Sequence, residues 1–213
     1  GRDNVKEGDI IVTTEYEHHS NIVPWQLLTQ ETKAQLKYID IDDNGELMIE
    51  QLDDYLATGK VKLVTFSHMS NVLGTISPVD EIISKCKNAG VLTLVDGAQS
   101  VPHMKVNLSQ LGCDFFAFSA HKMLGPTGVG VLWARKEILE KMSPFLGGGD
   151  KIREVHKYET TWNDLPYKFE AGTPNIADVI GFAKAIEYLE NIGMENIREH
   201  ELELTKYALE KMK

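Results

Sequence analysis

Short apolar runs alternate with amphipathic stretches along most of this chain. The runs Asp9–Thr14, Gln35–Ile39, Val61–Phe66, Val91–Val95, Phe115–Phe118 and Val129–Ala134 read as buried strands. Between them lie helical patterns: one beginning near Asn21 with Ser20 as its cap, Ile49–Ala57, and one from Pro78 to Asn88. Pro78 suits a first helical turn, Asp80 and Glu81 suit the positive end of the dipole, and Gly90 suits the exit. Asp42-Asp43-Asn44-Gly45 is a turn cluster. Lys136–Met142 reads as helix, residues 143–175 as an irregular loop region, and Ile176–Asn191 and Met194–Lys213 as two long helices. Strands alternating with helices predict an α/β fold: a mainly parallel, mixed sheet flanked by helices on both faces. Ligands in such folds bind outside the carboxyl ends of the strands. His68, Asp96 and Ser119–Lys122 each follow a strand, so they are expected on one rim.

Charge and cysteine usage narrow the function. The 213 residues carry a net charge of −10, spread along the chain, which disfavours a nucleic-acid surface and favours a small-molecule partner. No apolar run approaches the length of a membrane span, and no signal-peptide pattern is present. Two cysteines, Cys86 and Cys113, make no disulfide framework and read as partly buried thiols, so a reducing, cytoplasmic setting is expected. The chain starts at Gly1 and stops at Lys213 inside a helical pattern, so a segment of a longer protein is expected.

Two residues point to a particular chemistry. Taken alone, Asp96 in Val95-Asp96-Gly97-Ala98-Gln99 is an ordinary turn aspartate, and Lys122 in Ser119-Ala120-His121-Lys122 an ordinary surface lysine. Together, each just past an apolar strand, they match the needs of pyridoxal 5′-phosphate (PLP). A lysine bonds to the cofactor aldehyde, and an aspartate keeps the pyridine nitrogen protonated. Lys122 follows Phe115-Phe116-Ala117-Phe118, and apolar surroundings can lower a lysine pKa and make it nucleophilic. Ser119 and His121 beside it are candidate phosphate ligands. Of His18 and His19, one is expected to stack on a flat cofactor. A metal is disfavoured, because adjacent histidines on a strand point to opposite faces and no further ligand has metal-like spacing. Gln99 and Asn71 are loop amides suited to turns or to the cofactor ring oxygen. The glycine-rich stretch 125–130 precedes a strand rather than opening a helix, so it is no dinucleotide or P-loop motif. It reads as a turn that lets backbone pass close to the cofactor site.

Five ordered motifs carry a resemblance: Glu17-His18-His19-Ser20-Asn21-Ile22-Val23-Pro24-Trp25, Ser67-His68-Met69-Ser70-Asn71-Val72-Leu73-Gly74-Thr75, Val95–Gln99, Ser119–Gly128, and Phe169-Glu170-Ala171-Gly172-Thr173-Pro174-Asn175. With them the chain resembles the PLP-dependent class V aminotransferase-like family of fold type I. Within that family it is similar to cysteine desulfurases of the SufS type, favoured over the IscS-like branch by the histidine pair and the Asn-Ile-Val-Pro-Trp that follows.

The resemblance implies that Lys122 is the Schiff-base lysine and the acid–base group at the substrate Cα, and that Asp96 partners the pyridine nitrogen. It makes His18 the stacking residue and an aid to proton transfer. Gln99 contacts the ring oxygen, Asn71 lies near the substrate carboxylate, and Ser119 and His121 bind phosphate. Thr173 reaches the phosphate of the other subunit's cofactor, which implies a homodimer. The implied reaction converts L-cysteine to L-alanine and passes sulfur through an enzyme persulfide to an acceptor protein, for iron–sulfur cluster assembly among other uses. Residues 1–213 correspond to the PLP-binding large domain, without the family's amino-terminal phosphate loop or its carboxyl-terminal small domain. The missing small domain holds the persulfide cysteine and a substrate-binding arginine, so the segment alone is expected to be inactive. A selenocysteine lyase, or a class V aminotransferase or epimerase, shares the same machinery. A non-catalytic interaction domain is disfavoured by the presence of Lys122, Asp96 and His18 together.

Overall fold

A computed structural model describes residues 1–212. Six strands form the main sheet: β1 (Ile10–Thr14), β2 (Gln35–Ile39), β3 (Val61–Ser67), β4 (Leu92–Asp96), β5 (Phe115–Ser119) and β6 (Gly130–Ala134). Their order is β2-β1-β3-β4-β5-β6. The first five are parallel, and β6 closes one edge antiparallel to β5. The crossovers carry α1 (Val23–Thr32), α2 (Glu50–Ala57), α3 (Val79–Asn88) and the short α4 (Leu108–Leu111). After β6 come α5 (Lys136–Lys141), the hairpin of β7 (Ile152–Val155) and β8 (Thr160–Trp162), and the long helices α6 (Ile176–Ile192) and α7 (Met194–Lys211).

Alternation along the strands divides the core. Val12, Val64, Phe66, Val95 and Phe116 face one side and pack with Leu52 of α2 and Ile82, Ile83 and Cys86 of α3. Ile11 and Leu63 face the other side and pack with Leu28 of α1. A third cluster joins Ala120 and Met123, just after β5, to Phe182, Ala185 and Leu189 of α6. Helices therefore cover both faces, but unequally: Leu132, opposite Ala117 on the α1 side of the β5–β6 pair, is 57% exposed. No helix among the described residues is long and apolar enough to cross a membrane.

Two local readings need correction. Ser20 does not cap a helix through its side chain. His18 is the N-cap of a 3₁₀ turn, His19–Asn21, and α1 starts only at Val23. Pro24 in its first turn presets the backbone and brings no N–H of its own to satisfy, and no side-chain cap is seen among the described residues. Residues 143–175 are more ordered than a loop, for they contain the β7–β8 hairpin and a 3₁₀ turn at Tyr167–Phe169. These strands are short and mostly exposed, so they carry no alternating apolar signal. Helix α4 is too short to carry a periodic signal. It is one turn long, and Asn107 caps it by accepting from the N–H groups of Ser109 and Gln110.

Candidate active site

The rim at the carboxyl ends of β3, β4 and β5 gathers most of the chemistry-bearing residues. Asp96 is the last residue of β4, and the neighbouring strands hold it from both sides. Its carbonyl accepts from the His68 N–H (2.9 Å), and the next N–H, of Gly97, donates to the Ala117 carbonyl (2.8 Å). Its Oδ1 accepts from the Ala98 N–H (2.9 Å), which fixes the carboxylate. Gly97 must be glycine, since a Cβ there would lie 2.0 Å from the Phe116 ring. Strand end, turn and underlying aromatic thus fit together only with no side chain after Asp96.

Lys122 sits in a 3₁₀ turn, Ala120–Met123, that leaves β5 at Ser119. The turn is anchored by its small and apolar members. Ala120 and Met123 are buried against α6, while His121 is exposed and Lys122 half-buried. Leu124 ends the turn in the left-handed region (φ 61°). Gly125, the first glycine that follows, serves this anchoring rather than a close approach to the cavity. A Cβ on Gly125 would meet Phe182 at 2.8 Å and the Ala120 carbonyl at 2.9 Å, so its tight neighbours are α6 and the base of the lysine turn.

The loop after β1 brings His18 to the same place. His18 and His19 lie in a turn, not on a strand, with ring centroids 6.1 Å apart. A cavity of about 520 Å³ is lined by His18, Asp96, Ser119, His121 and Lys122, together with Trp25, Leu94 and Ala117. A small recess beside it shares His18, Asp96 and Lys122 and adds Asn71, Gln99 and Ser67. Seven of the eight expected site residues therefore meet on one rim. Thr173 does not: it is exposed on the segment before α6 and lines neither space. A groove of about 580 Å³ between Lys105 and α7 is slightly larger. It is the less interesting of the two, because its charges are ordinary surface groups such as the Lys105–Glu195 pair at 3.3 Å.

The chemistry of the donor set fits PLP. Asp96 and Lys122 face the same cavity, yet neither takes part in an ion pair among the described residues. An acid and an amine that line one cavity without pairing suit a flat group bonded to one and paired with the other. Ser119 and His121 flank the lysine with a hydroxyl and an imidazole, both suited to an anion.

Sequence reasoning missed Glu17. It is 6% exposed, just past β1, and bridges to the end of β3. Its carboxylate accepts from Thr14 Oγ1 (2.5 Å), Ser67 N–H (2.8 Å), Ser67 Oγ (2.7 Å) and Asn21 Nδ2 (2.6 Å). Burial pushes its pKa up, and these four hydrogen bonds oppose the shift. The signal available in the sequence was a charged residue beside a strand, which usually means a solvated face. His68 was expected on the rim, but its side chain is buried at 4% exposure, its Nδ1 has no hydrogen-bond partner among the described residues, and its ring is edge-on to Phe116. It belongs to the support of the site. Cys86 and Cys113 are fully buried, and burial raises their thiol pKa values to about 12 and about 11.

The aminotransferase class-V family model matches residues 1–213. The chain belongs to this family. A probable cysteine desulfurase of Halalkalibacterium halodurans is 52% identical over 212 residues, which are 100% of this chain and 52% of the relative. The apo cysteine desulfurase of Thermococcus onnurineus NA1 matches with a TM-score of 0.91 and 43% identity, over 96% of this chain and 51% of that one. A variant of C-DES with glycine covalently linked to its PLP cofactor matches with a TM-score of 0.76 and 26% identity, over 91% of this chain and 52% of that one. The fold is thus the PLP-dependent fold type I of these class V neighbours. This class V chain spans about half the length of the curated relatives it matches.

Proposed function

We propose that residues 1–213 are the PLP-binding part of a cysteine desulfurase. The single observation that carries this reading is the convergence of Lys122, Asp96 and His18 on one cavity, with the lysine and the aspartate in no ion pair among the described residues. The 52% identity to a probable cysteine desulfurase supports the substrate class, L-cysteine or a related amino acid.

Lys122 would hold the cofactor aldehyde and, once the substrate amine displaces its nitrogen, its free amine would carry the proton at the substrate Cα. When bound, PLP supplies an electron-poor ring that takes up the charge left at that carbon. Asp96 holds the proton on the pyridine nitrogen, and the hydrogen bond from Ala98 keeps the carboxylate aimed. His18 covers the ring face and assists proton transfer, Gln99 holds the ring oxygen, and Asn71 orients the substrate carboxylate. Ser119 and His121 hold the phosphate. Thr173, exposed and outside the cavity lining, contacts the phosphate of a second subunit in a homodimer. The thiolate of a cysteine other than Cys86 and Cys113 would take the substrate sulfur as a persulfide for a sulfur-acceptor protein, the carbon–sulfur bond breaking with its electron pair left on the carbon skeleton, which is protonated to L-alanine. The burial of both thiols supports that exclusion and agrees with a reducing, cytoplasmic setting.

An absorption titration of the chain with PLP, run beside Lys122→Ala, tests the reading. The expected result is a near-visible band in the parent chain that is lost in the variant. A band of equal strength in both would overturn the role of Lys122, and no band in the parent would overturn the site.

A further inference from the structure

We propose that Glu17 is a positioning residue that fixes the orientation and tautomer of His18. The importance of His18 rests on the reading above; the geometry does not. The turn that carries His18 is short, and Glu17 grips it at both ends. Glu17 is the residue before the histidine, and Ser67 at the end of β3 donates to it through both N–H and Oγ. Asn21, at the far end of the turn, donates to it through Nδ2 (2.6 Å).

The direction of the Asn21 amide is not free. Asn21 Oδ1 accepts from Thr65 Oγ1 (2.6 Å) and from Trp25 Nε1 (3.0 Å), so its NH₂ must face Glu17. The Asn21 N–H in turn donates to the His18 carbonyl (2.8 Å). Within the turn, His18 Nδ1 accepts from the Ser20 N–H (3.2 Å) and lies 2.8 Å from Ser20 Oγ. A backbone N–H can only donate, so Nδ1 is the bare nitrogen and Nε2 carries the proton. The ring is thus set in one tautomer, with Nε2 left for the cavity that His18 lines.

Burying a carboxylate is a poor way to gain stability, since well-packed apolar groups in the same space do as well or better. What Glu17 adds is direction. All four of its partners can donate, and they belong to β1, β3 and the turn. Nothing in the set touches the His18 ring itself, so the effect runs through the turn.

The test is ring-nitrogen NMR of the full chain without cofactor, with the His18 signals assigned by their loss in His18→Ala. In the parent chain the two His18 ring nitrogens are expected to be well separated, as for a single tautomer with a proton on Nε2. In Glu17→Gln, folded by circular dichroism, that separation is expected to shrink toward the average of two tautomers. A folded Glu17→Gln with unchanged His18 signals would overturn the proposal. If Glu17→Gln does not fold, Ser67→Ala replaces it, removing the hydroxyl donor and leaving Glu17 in place. There a shifted His18 signal supports the proposal and an unshifted one overturns it. Because no cofactor is present, failure here is distinct from failure of PLP to bind.

Discussion

Asp96, Glu17 and His68 are ionisable side chains in three different settings, and each makes its own prediction. Asp96→Asn keeps the shape and removes the charge that would face a protonated ring. Charged hydrogen bonds contribute roughly 1.5–3 kcal/mol, so PLP affinity should fall by about tenfold or more in an equilibrium titration. Glu17→Ala would leave the Ser67 N–H and the Asn21 amide buried without their acceptor. At roughly 1–3 kcal/mol for each orphaned group, the urea midpoint should drop clearly. His68 sets a pH dependence. Burial lowers its pKa below the ordinary 6.5, with Asp80 opposing. Between the native value and 6.5 the unfolded chain binds more protons than the native one, so stability rises with pH through that window and falls as pH drops through it. Urea melts across mildly acidic pH should show this slope, and His68→Gln should flatten it.

At the scale of elements, the site depends on how β4 and β5 meet. The Asp96–Gly97 break, the Phe116 ring and the turn after Ser119 form one packed unit. Overpacking costs about 1–3 kcal/mol and sometimes more, and the 2.0 Å approach at Gly97 is severe. Gly97→Ala should therefore lower thermal stability strongly, and adding Phe116→Leu should recover part of the loss, giving a non-additive double-mutant cycle. Most elements were legible in the chain, because a buried parallel strand is a continuous apolar run and its crossover helix is amphipathic. Gln35–Ile39 matches its strand residue for residue, and the other sheet strands differ only at their ends. The β7–β8 hairpin was not legible, since strands this short and this exposed lack the burial that writes a period into sequence.

For the molecule as a whole, the sheet decides which thiols can react. Cys86 and Cys113 lie in the core on the α2–α3 side, the face opposite α1. With thiol pKa values raised to about 12 and about 11, neither offers a useful thiolate at neutral pH. Both should resist a thiol reagent until urea unfolds the chain, and the chain by itself should release no sulfide from L-cysteine above the background of free PLP. Fast labelling of the native chain would contradict the burial argument directly.

The sequence by itself determined the order of elements and the residues that follow strand ends. Those signals are local: apolar period, turn chemistry, and an aspartate or lysine placed after a run of buried residues. Seven of eight expected site residues then had to converge, because a parallel sheet puts its carboxyl ends on one rim. Only the tertiary structure decided the rest. It showed that Thr173 is exposed and lines neither space on that rim, that His68 turns inward against Phe116, and that Gly125, after Lys122, packs against α6. It also turned Glu17 from an unremarked acid into the clamp of the His18 turn. These are contacts between residues distant in sequence, set by which face of the sheet each side chain takes and by what crosses to meet it, and no local pattern encodes them.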